Sequence, residues 1–336
     1  MKPAAYLSRR DIKLAEWLYE DGIGEERAIL AENGRIIEAR IAPHDGIKSG
    51  LIAQVQLVKQ LIAGKRGIAR LPDGAELLVS PLPTGVTEGG SMTIEVTRAA
   101  IDEKSRFKLP LARPASDQVP QPAPRLREII GDAALCHAHG VDRFSEYGWH
   151  EVIEEAQSGE VAFSGGSLLI SVTPAMTLID VDGDLPPFAL AQAAATAAAR
   201  AIRRLDIQGN IGIDFPGVAD KPQRQAVAEA FDAAMTGPFE RTSFNGFGFL
   251  QLIKRRTGPS LLEMMQHQRI MHTAAASLRL AERDGRVGPL TLAAHPAIVT
   301  ALSARPEWMA ELARRTGRAV SLRADAKLAI GGYYAE

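Results

Sequence analysis

The sequence predicts an α/β fold of the multidomain α+β kind, and three observations support this prediction. Short apolar runs separated by turn residues fill the first third of the chain, a proline-rich stretch follows, and strand-like and helix-like segments alternate after it. The 336 residues are 46% hydrophobic and 24% charged, a composition that excludes a disordered or collagen-like chain. With a net charge of −1, the whole molecule does not attract polyanions, so a nucleic-acid site would need a local basic patch.

The first third of the chain is predicted to consist of strands. Residues 1–45 contain a hairpin around Asn33-Gly34 and are expected to join the core. Residues 46–112 alternate apolar runs with Gly-rich turns, which favours a five-stranded oligonucleotide-binding (OB) barrel. Arg98 and Lys104 belong to a basic run that we expect at the RNA-facing edge of this barrel, although such a run also fits an ordinary solvated surface.

The middle of the chain, residues 113–125, is predicted to be a linker. Its four prolines prevent a helix or a central strand and favour an extended spacer. The chain therefore divides into a front part and a back part at this point.

The back part begins with a predicted catalytic core over residues 126–262. A strand through Asp180, a helix over 185–205, a strand over 210–215 and a helix over 221–235 form a β-α-β-α pattern, which is typical of a parallel sheet. A single amphipathic helix is predicted over 261–283, so that 263–284 acts as a helical connector. Residues 285–336 are predicted to form a small α/β C-terminal domain that ends on the strand AVSLRAD.

Two acidic residues are the main candidates for chemistry. Asp180 and Asp214 each come at the end of a predicted strand, and a right-handed crossover between the strands would bring both to one rim of the sheet. Such a pair favours a hard divalent cation, above all Mg²⁺. Asp182 would add a third carboxylate. The alternative is that these residues only cap strands and form turns before nearby glycines.

The single cysteine, Cys136, limits other metal chemistry. An internal disulfide is excluded, and Cys136 with His137 and His139 lacks the second cluster that a zinc site needs, so we expect any metal to be held by oxygen. No apolar run approaches the roughly 20 residues of a membrane-spanning helix, and the first residues lack the apolar core of a secretion signal. These features predict a cytoplasmic protein with no membrane partner.

Three segments of the back part resemble the catalytic core of the ribonuclease E/G family of bacterial endoribonucleases. They are residues 158–184, 202–215 and 247–261. The barrel is similar to the embedded OB-type RNA-binding domain of that family, and residues 293–325 are similar to its small C-terminal domain.

The resemblance implies Mg²⁺-dependent cleavage of single-stranded RNA within the chain, leaving a 5′ phosphate and a 3′ hydroxyl. Asp180 and Asp214 match the metal-binding aspartates of the family, and Lys104 matches an RNA-contacting lysine of its barrel. Lys254 and Arg256 match basic positions expected to contact the phosphate backbone.

Several departures from the family pattern carry information. Asp182 stands where the family usually has asparagine, and the loop after it is short. Gly246 stands where the family has an arginine that binds the 5′ monophosphate of the RNA, and the proline-rich linker stands where the family has its 5′-sensing domain. We therefore predict cleavage that is independent of the 5′ end. The barrel positions expected to carry base-stacking aromatics are aliphatic, namely Ile68 and either Leu77 or Leu78, which should weaken binding.

The family's Cys-x-x-Cys zinc link between subunits is also absent. A homodimer would therefore need another surface, for which the helix over 261–283 is one candidate; the other interpretation is that this helix packs on its own domain.

The leading prediction is therefore a short endoribonuclease, a phosphodiester hydrolase, of this family. An RNA-binding protein of the same fold with weak or lost catalysis is the alternative, and a metal-dependent phosphatase or deoxyribonuclease on the same core is a third. The sequence does not distinguish ribosomal RNA processing from messenger RNA decay.

Overall fold

A computed structural model describes residues 15–103, 106–138 and 140–336. Lys104 and His139 lie outside the described residues. The strands are β1 (Glu16–Asp21), β2 (Glu25–Glu32), β3 (Arg35–Pro43), β4 (Ile52–Ile62), β5 (Arg66–Arg70), β6 (Glu76–Val79), β7 (Ser91–Arg98), β8 (Ile101–Glu103), β9 (Arg106–Lys108), β10 (Leu111–Pro114), β11 (Ala134–Leu135), β12 (Glu160–Phe163), β13 (Gly166–Val172), β14 (Thr177–Gly183), β15 (Gly209–Asp214), β16 (Glu240–Arg241), β17 (Phe249–Lys254), β18 (Leu290–Ala294), β19 (Val320–Ala324) and β20 (Tyr333–Ala335).

The helices lie mainly in the second half of the chain. They are α1 (Leu126–Ile130), α2 (Arg143–Glu146), α3 (Trp149–Ser158), α4 (Pro187–Arg204), α5 (Lys221–Ala234), α6 (Leu261–His267), α7 (Arg269–Glu282), α8 (Pro296–Ser303) and α9 (Pro306–Thr316). Over the described residues, no helix combines the length and apolar character needed to cross a bilayer.

The N-terminal strands form a sheet in the order β11-β1-β2-β3. β2 and β3 form the predicted hairpin, and Asn33 and Gly34 both have positive φ, as a two-residue turn between twisted strands requires. Ile29 and Ala39 of this hairpin are fully buried and belong to the same apolar core as the central sheet. The N-terminal strands are therefore packed into the catalytic half of the chain.

The predicted five-stranded barrel is present. It closes in the order β10-β6-β5-β4-β7 around a core that includes Leu57, Leu77 and Ile94. Its last strand contains Arg113 and Pro114, the first two residues of the predicted linker. A proline is tolerated there because a strand's end does not require its N–H in the ladder.

The central sheet has the order β12-β13-β14-β15-β17-β16. The β-α-β-α pattern led us to expect a parallel sheet, but within the described part of this sheet only β14 and β15 pair in parallel. The other neighbours are antiparallel because tight turns or short loops join β12 to β13 and β13 to β14, and β17 returns after α5 in the opposite direction. The expectation of a parallel sheet therefore holds only for the pair of strands joined by the α4 crossover.

Helix α4 covers one face of this sheet. Its inner side is lined with small residues, including the fully buried Ala194, Ala195 and Ala198, which let the helix lie close to the strands. On the opposite face of the sheet, the side chains of the central strands are exposed or half-buried, and no described helix packs there. We call this surface the open face.

The single helix predicted over 261–283 is in fact two helices, α6 and α7, separated at Gln268, whose φ of −118° is outside the helical region. Ser260 and Glu263 form a capping box that fixes the start of α6. Met264 and Met265 are buried in the central core. Helix α6 therefore packs on its own domain, as the second of the two interpretations expected.

Helix α7 links the N-terminal strands to the C-terminal domain through buried charges. Glu25 of β2 accepts a hydrogen bond from Arg279 and lies beside the Nδ1 atom of His272. Glu20 binds both Arg27 and Arg283. The C-terminal sheet has the order β19-β18-β20, so the strand AVSLRAD is followed by one more strand, β20, which pairs antiparallel with β18.

Candidate active site and nucleic-acid interface

Asp180 and Asp214 lie directly beside each other on neighbouring strands. They are register partners in the parallel pair formed by β14 and β15, and both side chains are exposed. Neighbouring strands are about 4.8 Å apart, and laterally paired residues project to the same face of a sheet. The two carboxylates therefore share the open face. Asp214 ends its strand as predicted, whereas Asp180 lies within β14, because the hairpin with β13 continues to Gly183.

Asp182 lies on the same open face, two residues beyond Asp180. Its Oδ1 atom accepts a hydrogen bond of 2.9 Å from the backbone N–H of Gly183, and its register partner on β13 is Ser167. Asp180, Asp182 and Asp214 do not form a cluster whose carboxylate oxygens all lie within 4.8 Å of one another. Of the three carboxylates, Asp180 and Asp214 are the two that lie directly opposite each other on neighbouring strands.

Within the described ranges, one group of three acidic or histidine ligands does meet that distance, and it lies elsewhere. It consists of Asp21, Glu26 and His44. Arg125 already forms ion pairs with Asp21 at 2.7 Å and with Glu26 at 2.6 Å, and the hydroxyl of Tyr19 donates to Glu26 at 2.6 Å. A guanidinium therefore occupies the place that a cation would take, and this group reads as a structural ion-pair cluster.

An aromatic ring adjoins the carboxylate pair. Phe249 of β17 is the antiparallel register partner of Asp214. Its ring lies on Gly212, since a Cβ atom at that glycine would be 2.4 Å from the ring's Cζ atom. The loop that leads into β17 is held by Asn245, whose Oδ1 atom accepts hydrogen bonds from the N–H groups of Phe247 and Phe249.

The open face around the carboxylates is partly apolar. Leu169 is 51%, Leu178 is 37% and Ile253 is 49% exposed, and Phe247 at the edge is 93% exposed. Side chains of this size are usually covered, and a contiguous exposed group of them marks an interaction surface.

The predicted basic residues at the end of β17 do not lie beside the carboxylates. Gly209 pairs with Lys254, whereas Asp214 pairs with Phe249, so five residues of β17, about 17 Å, separate the two levels. Burial lowers the pKa of Lys254, which lies near Asp206 on the helical side of the sheet. Arg256 forms an ion pair with the buried Glu263 of α6.

Arg255 was left out of the predicted site, although it belongs to the same basic run. It is exposed and lines a groove of about 680 Å³ between the end of β17, the turn that joins β13 to β14, and Lys108 of β9. Among the described residues, Arg255 has no carboxylate partner, unlike Arg256. The signal in the sequence is the apolar residue at every second position of β17. Leu250 and Leu252 face the core, so the alternation places Arg256 on the core side and Arg255 on the open face.

Arg98 makes contacts within the protein. Its Nη2 atom donates to the backbone oxygen of Leu109 at 2.7 Å, and burial together with the charge of Arg256 lowers its pKa. The amide of Ala99 donates to the oxygen of Thr257 at 2.8 Å. Arg98 therefore lies where the barrel meets the end of β17.

The outer surface of the barrel carries the aliphatic residues that the sequence indicated. Ile68 and Leu78 are register partners and half-buried, whereas Leu77 is fully buried inside the barrel and is not a surface position. Between residues 46 and 112 the sequence contains one aromatic residue, Phe107, which is 58% exposed on the β8–β9 hairpin.

A cavity of about 1080 Å³ lies between the barrel, the N-terminal sheet and helices α6 and α7, and neither Asp180 nor Asp214 lines it. The carboxylate pair is on an open surface, which suits a polymer better than a small enclosed ligand.

Taken together, the closed barrel and the carboxylate-bearing sheet define a multidomain α/β protein with an OB-type barrel. Residues 91–257 match the model of the ribonuclease E/G family, and this region includes both Asp180 and Asp214. The central region of the chain, just under half of its length, therefore belongs to the ribonuclease E/G family.

Curated relatives agree with this assignment. The chain is 34% identical over 140 residues to Ribonuclease E of Haemophilus influenzae, an alignment that covers 38% of this chain and 15% of that protein. It is 31% identical over 144 residues to the Ribonuclease E/G-like protein, chloroplastic, of Arabidopsis thaliana, covering 38% of this chain and 14% of that protein. It is 26% identical over 180 residues to Ribonuclease G of Escherichia coli K12, covering 50% of this chain and 35% of that protein. The aligned part is thus a minor fraction of each relative's length.

Proposed function

We propose that this protein is a Mg²⁺-dependent endoribonuclease that cleaves single-stranded RNA and leaves a 5′ phosphate and a 3′ hydroxyl. The observation that carries the proposal is the register pairing of Asp180 with Asp214 on an exposed sheet face, inside the region that matches the family. The names of the relatives support ribonuclease activity as the general class.

The two carboxylates fit the proposed ion. Mg²⁺ prefers hard oxygen ligands and is usually held by one or two carboxylates, with water and phosphate oxygens completing its shell. Asp180 and Asp214 are exposed, so water and a phosphate can reach both. The cation would supply Lewis-acid stabilisation of the charge that develops on the phosphodiester.

The protein's own groups would position the RNA. A single-stranded RNA in an extended conformation can lie across the open face, because no described helix covers it. Arg255 lines the groove at the far end of the same strands and would contact the phosphate backbone, while the barrel holds a more distant segment. Without a cation, the carboxylates would repel the scissile phosphate, so its placement for cleavage depends on the metal, whereas contacts of the strand with Arg255 and with exposed apolar side chains do not.

Asparagine variants test this proposal. Asp180→Asn and Asp214→Asn keep the size of each side chain but remove its charge, and each should lower the cleavage rate of an unstructured RNA in Mg²⁺ by roughly a hundredfold or more. Glu229→Gln, an exposed change on α5 at the helical side of the sheet, is the matched control and should cleave like the wild type. Equal cleavage by the wild type and both asparagine variants would exclude this site.

One observation favours a second function, an RNA-binding protein with weak or lost catalysis. Asp182 adds a third negative charge to the open face, where it would repel a substrate phosphate. RNA binding without Mg²⁺-dependent cleavage would support this alternative. Asp182→Asn distinguishes the two further, because a gain of cleavage in that variant would mean that the extra carboxylate inhibits an otherwise intact site.

The homodimer also remains a proposal. Since Met264 and Met265 are used inside the domain, a dimer without the zinc link would need a surface other than the apolar side of α6.

A further inference from the structure

We propose that Phe249 and the open face around it form a base-stacking platform, on which the ring of Phe249 holds one nucleobase of a single-stranded RNA beside Asp214. This inference rests on the proposed function for its ligand and extends it by naming the residue that positions the base. The juxtaposition that carries it is the register pairing of Phe249 with Asp214, on the strand next to Asp180.

A glycine in the neighbouring strand β15 leaves room for the Phe249 ring. Gly212 lies beneath it, and a side chain at that position would overlap the ring, since its Cβ would lie 2.4 Å from Cζ. The φ angle of Gly212 is not in the left-handed region, so the backbone does not itself demand glycine. The missing side chain instead leaves the space that the tip of the Phe249 ring occupies beside the strand that ends in Asp214.

The surroundings of the ring fit a nucleobase. Leu178 lies against the same space, with its Cδ2 atom 3.1 Å from the position of that Cβ, and Phe249 remains partly exposed. An aromatic face with aliphatic neighbours and open solvent above it is the surface on which bases of a single strand stack, whatever their identity. Ile253 lies further along the same face of β17, and Leu169 lies on β13 at the other side of the carboxylate pair.

Charge complementarity selects RNA as the occupant. The platform continues along β17 to Ile253 and then to the groove lined by the exposed Arg255, so an RNA strand that crosses the open face passes from this cation to the stacking ring and then to the carboxylate pair. Lys108 lines the same groove but is already paired with Glu103. The barrel offers little competing stacking surface, because its outer strands present Ile68 and Leu78. Stacking in this protein would thus take place on the central sheet.

The test measures RNA binding in EDTA, so that it does not depend on cleavage. A fluorescently labelled single-stranded RNA of about ten nucleotides is used, together with a series of the same RNA in which each base in turn is replaced by an abasic site. Wild-type affinity should fall at one position of the abasic series by roughly five- to a hundredfold, the range expected for one stacked base.

Phe249→Leu should bind the intact RNA more weakly and should lose its sensitivity to that one abasic position. Gly212→Ala should have the same effect, because the new methyl group displaces the ring. Phe231→Leu, which alters a fully buried aromatic residue of α5 on the helical side of the sheet, is the control and should keep the wild-type pattern. Thermal melting of each variant shows whether it is folded.

A Phe249→Leu variant that is folded and retains the wild-type abasic profile would overturn the platform. This outcome is separate from failure of the proposed catalysis. Failure of the proposed catalytic site would appear as equal Mg²⁺-dependent cleavage by wild type, Asp180→Asn and Asp214→Asn, while the abasic profile is measured separately in EDTA. If the wild type does not bind the RNA, both the proposed substrate and the platform are wrong.

Discussion

Glu25 and Arg279 form an ion pair of 2.6 Å between residues that are 254 positions apart in the chain. Glu25 is 3% and Arg279 is 6% exposed, and the same carboxylate lies 2.7 Å from the Nδ1 atom of His272. This contact joins β2 to α7, and α7 in turn packs on the C-terminal sheet. The carboxylate thus connects the two ends of the chain.

Glu25→Gln should destabilise the protein by about 3–5 kcal/mol, because it leaves Arg279 buried without its counter-charge. The free energy of unfolding, measured by urea titration, checks this prediction. Glu311→Gln breaks exposed ion pairs with Arg314 and Arg315 on α9 and should change stability little, so it serves as the control. Similar losses from the two variants would contradict the prediction.

Stability should also fall in acid because of Glu25. Burial alone would raise the pKa of Glu25, but Arg279 and His272 outweigh it and lower the pKa from 4.5 to about 2. A carboxyl group whose pKa is lowered by folding stabilises the folded state above its unfolded pKa and loses that contribution as the pH falls toward its folded pKa. Between about pH 4.5 and 2, the wild type should therefore lose stability more steeply than Glu25→Gln. Equal slopes of unfolding free energy against pH would show that Glu25 does not carry this effect.

The two adjacent arginines at the end of β17 should behave differently. Arg255→Ala should weaken RNA binding and lower the slope of log K against log salt by roughly 1, because one phosphate contact is lost. Arg256→Ala should mainly reduce stability, since it leaves the buried Glu263 without its partner. Fluorescence anisotropy at several salt concentrations and thermal melting separate these effects. A reduced salt slope in Arg256→Ala alone would reverse the assignment.

Cleavage should not depend on the 5′ end of the RNA. Gly246 stands where the family has an arginine for the 5′ monophosphate, and in this structure it belongs to a tight turn held by Asn245 that offers no side chain at this position. Rates on the same oligonucleotide with a 5′ monophosphate and with a 5′ hydroxyl should agree within about twofold, which is small against the tenfold that 1.4 kcal/mol represents. A strong preference for the 5′ monophosphate would reveal a sensing group that the sequence comparison did not find.

The sequence predicted those parts of the fold that depend on local periodicity and turn residues. The Asn33-Gly34 hairpin, the closed barrel and helix α5 follow from such signals. The division of residues 261–283 at Gln268 was not predictable in the same way, because the apolar spacing continues through the break and only tertiary packing separates the two helices. Strand directions in the central sheet also depend on the return path of β17, which no local pattern specifies.

The same distinction applies to the candidate site. Crossover geometry was sufficient to expect Asp180 and Asp214 on neighbouring strands, because it depends on chain order alone. Chain order alone does not show which of the basic residues at the end of β17 are buried and which are exposed. Arg256 and Lys254 became partly buried through contacts with α6 and with the end of α4, which are long-range features, while the exposed Arg255 was overlooked.

The ion pair between Glu25 and Arg279 has a consequence for biosynthesis. A ribosome that adds about 5–20 residues per second needs roughly 13–50 s to translate the 254 positions between them. Throughout that interval the N-terminal hairpin has been made, but the cation that neutralises its carboxylate has not. Final docking of the hairpin must therefore wait until α7 has left the exit tunnel, so β2 and β3 reach their native surroundings only after a segment that is translated long after them.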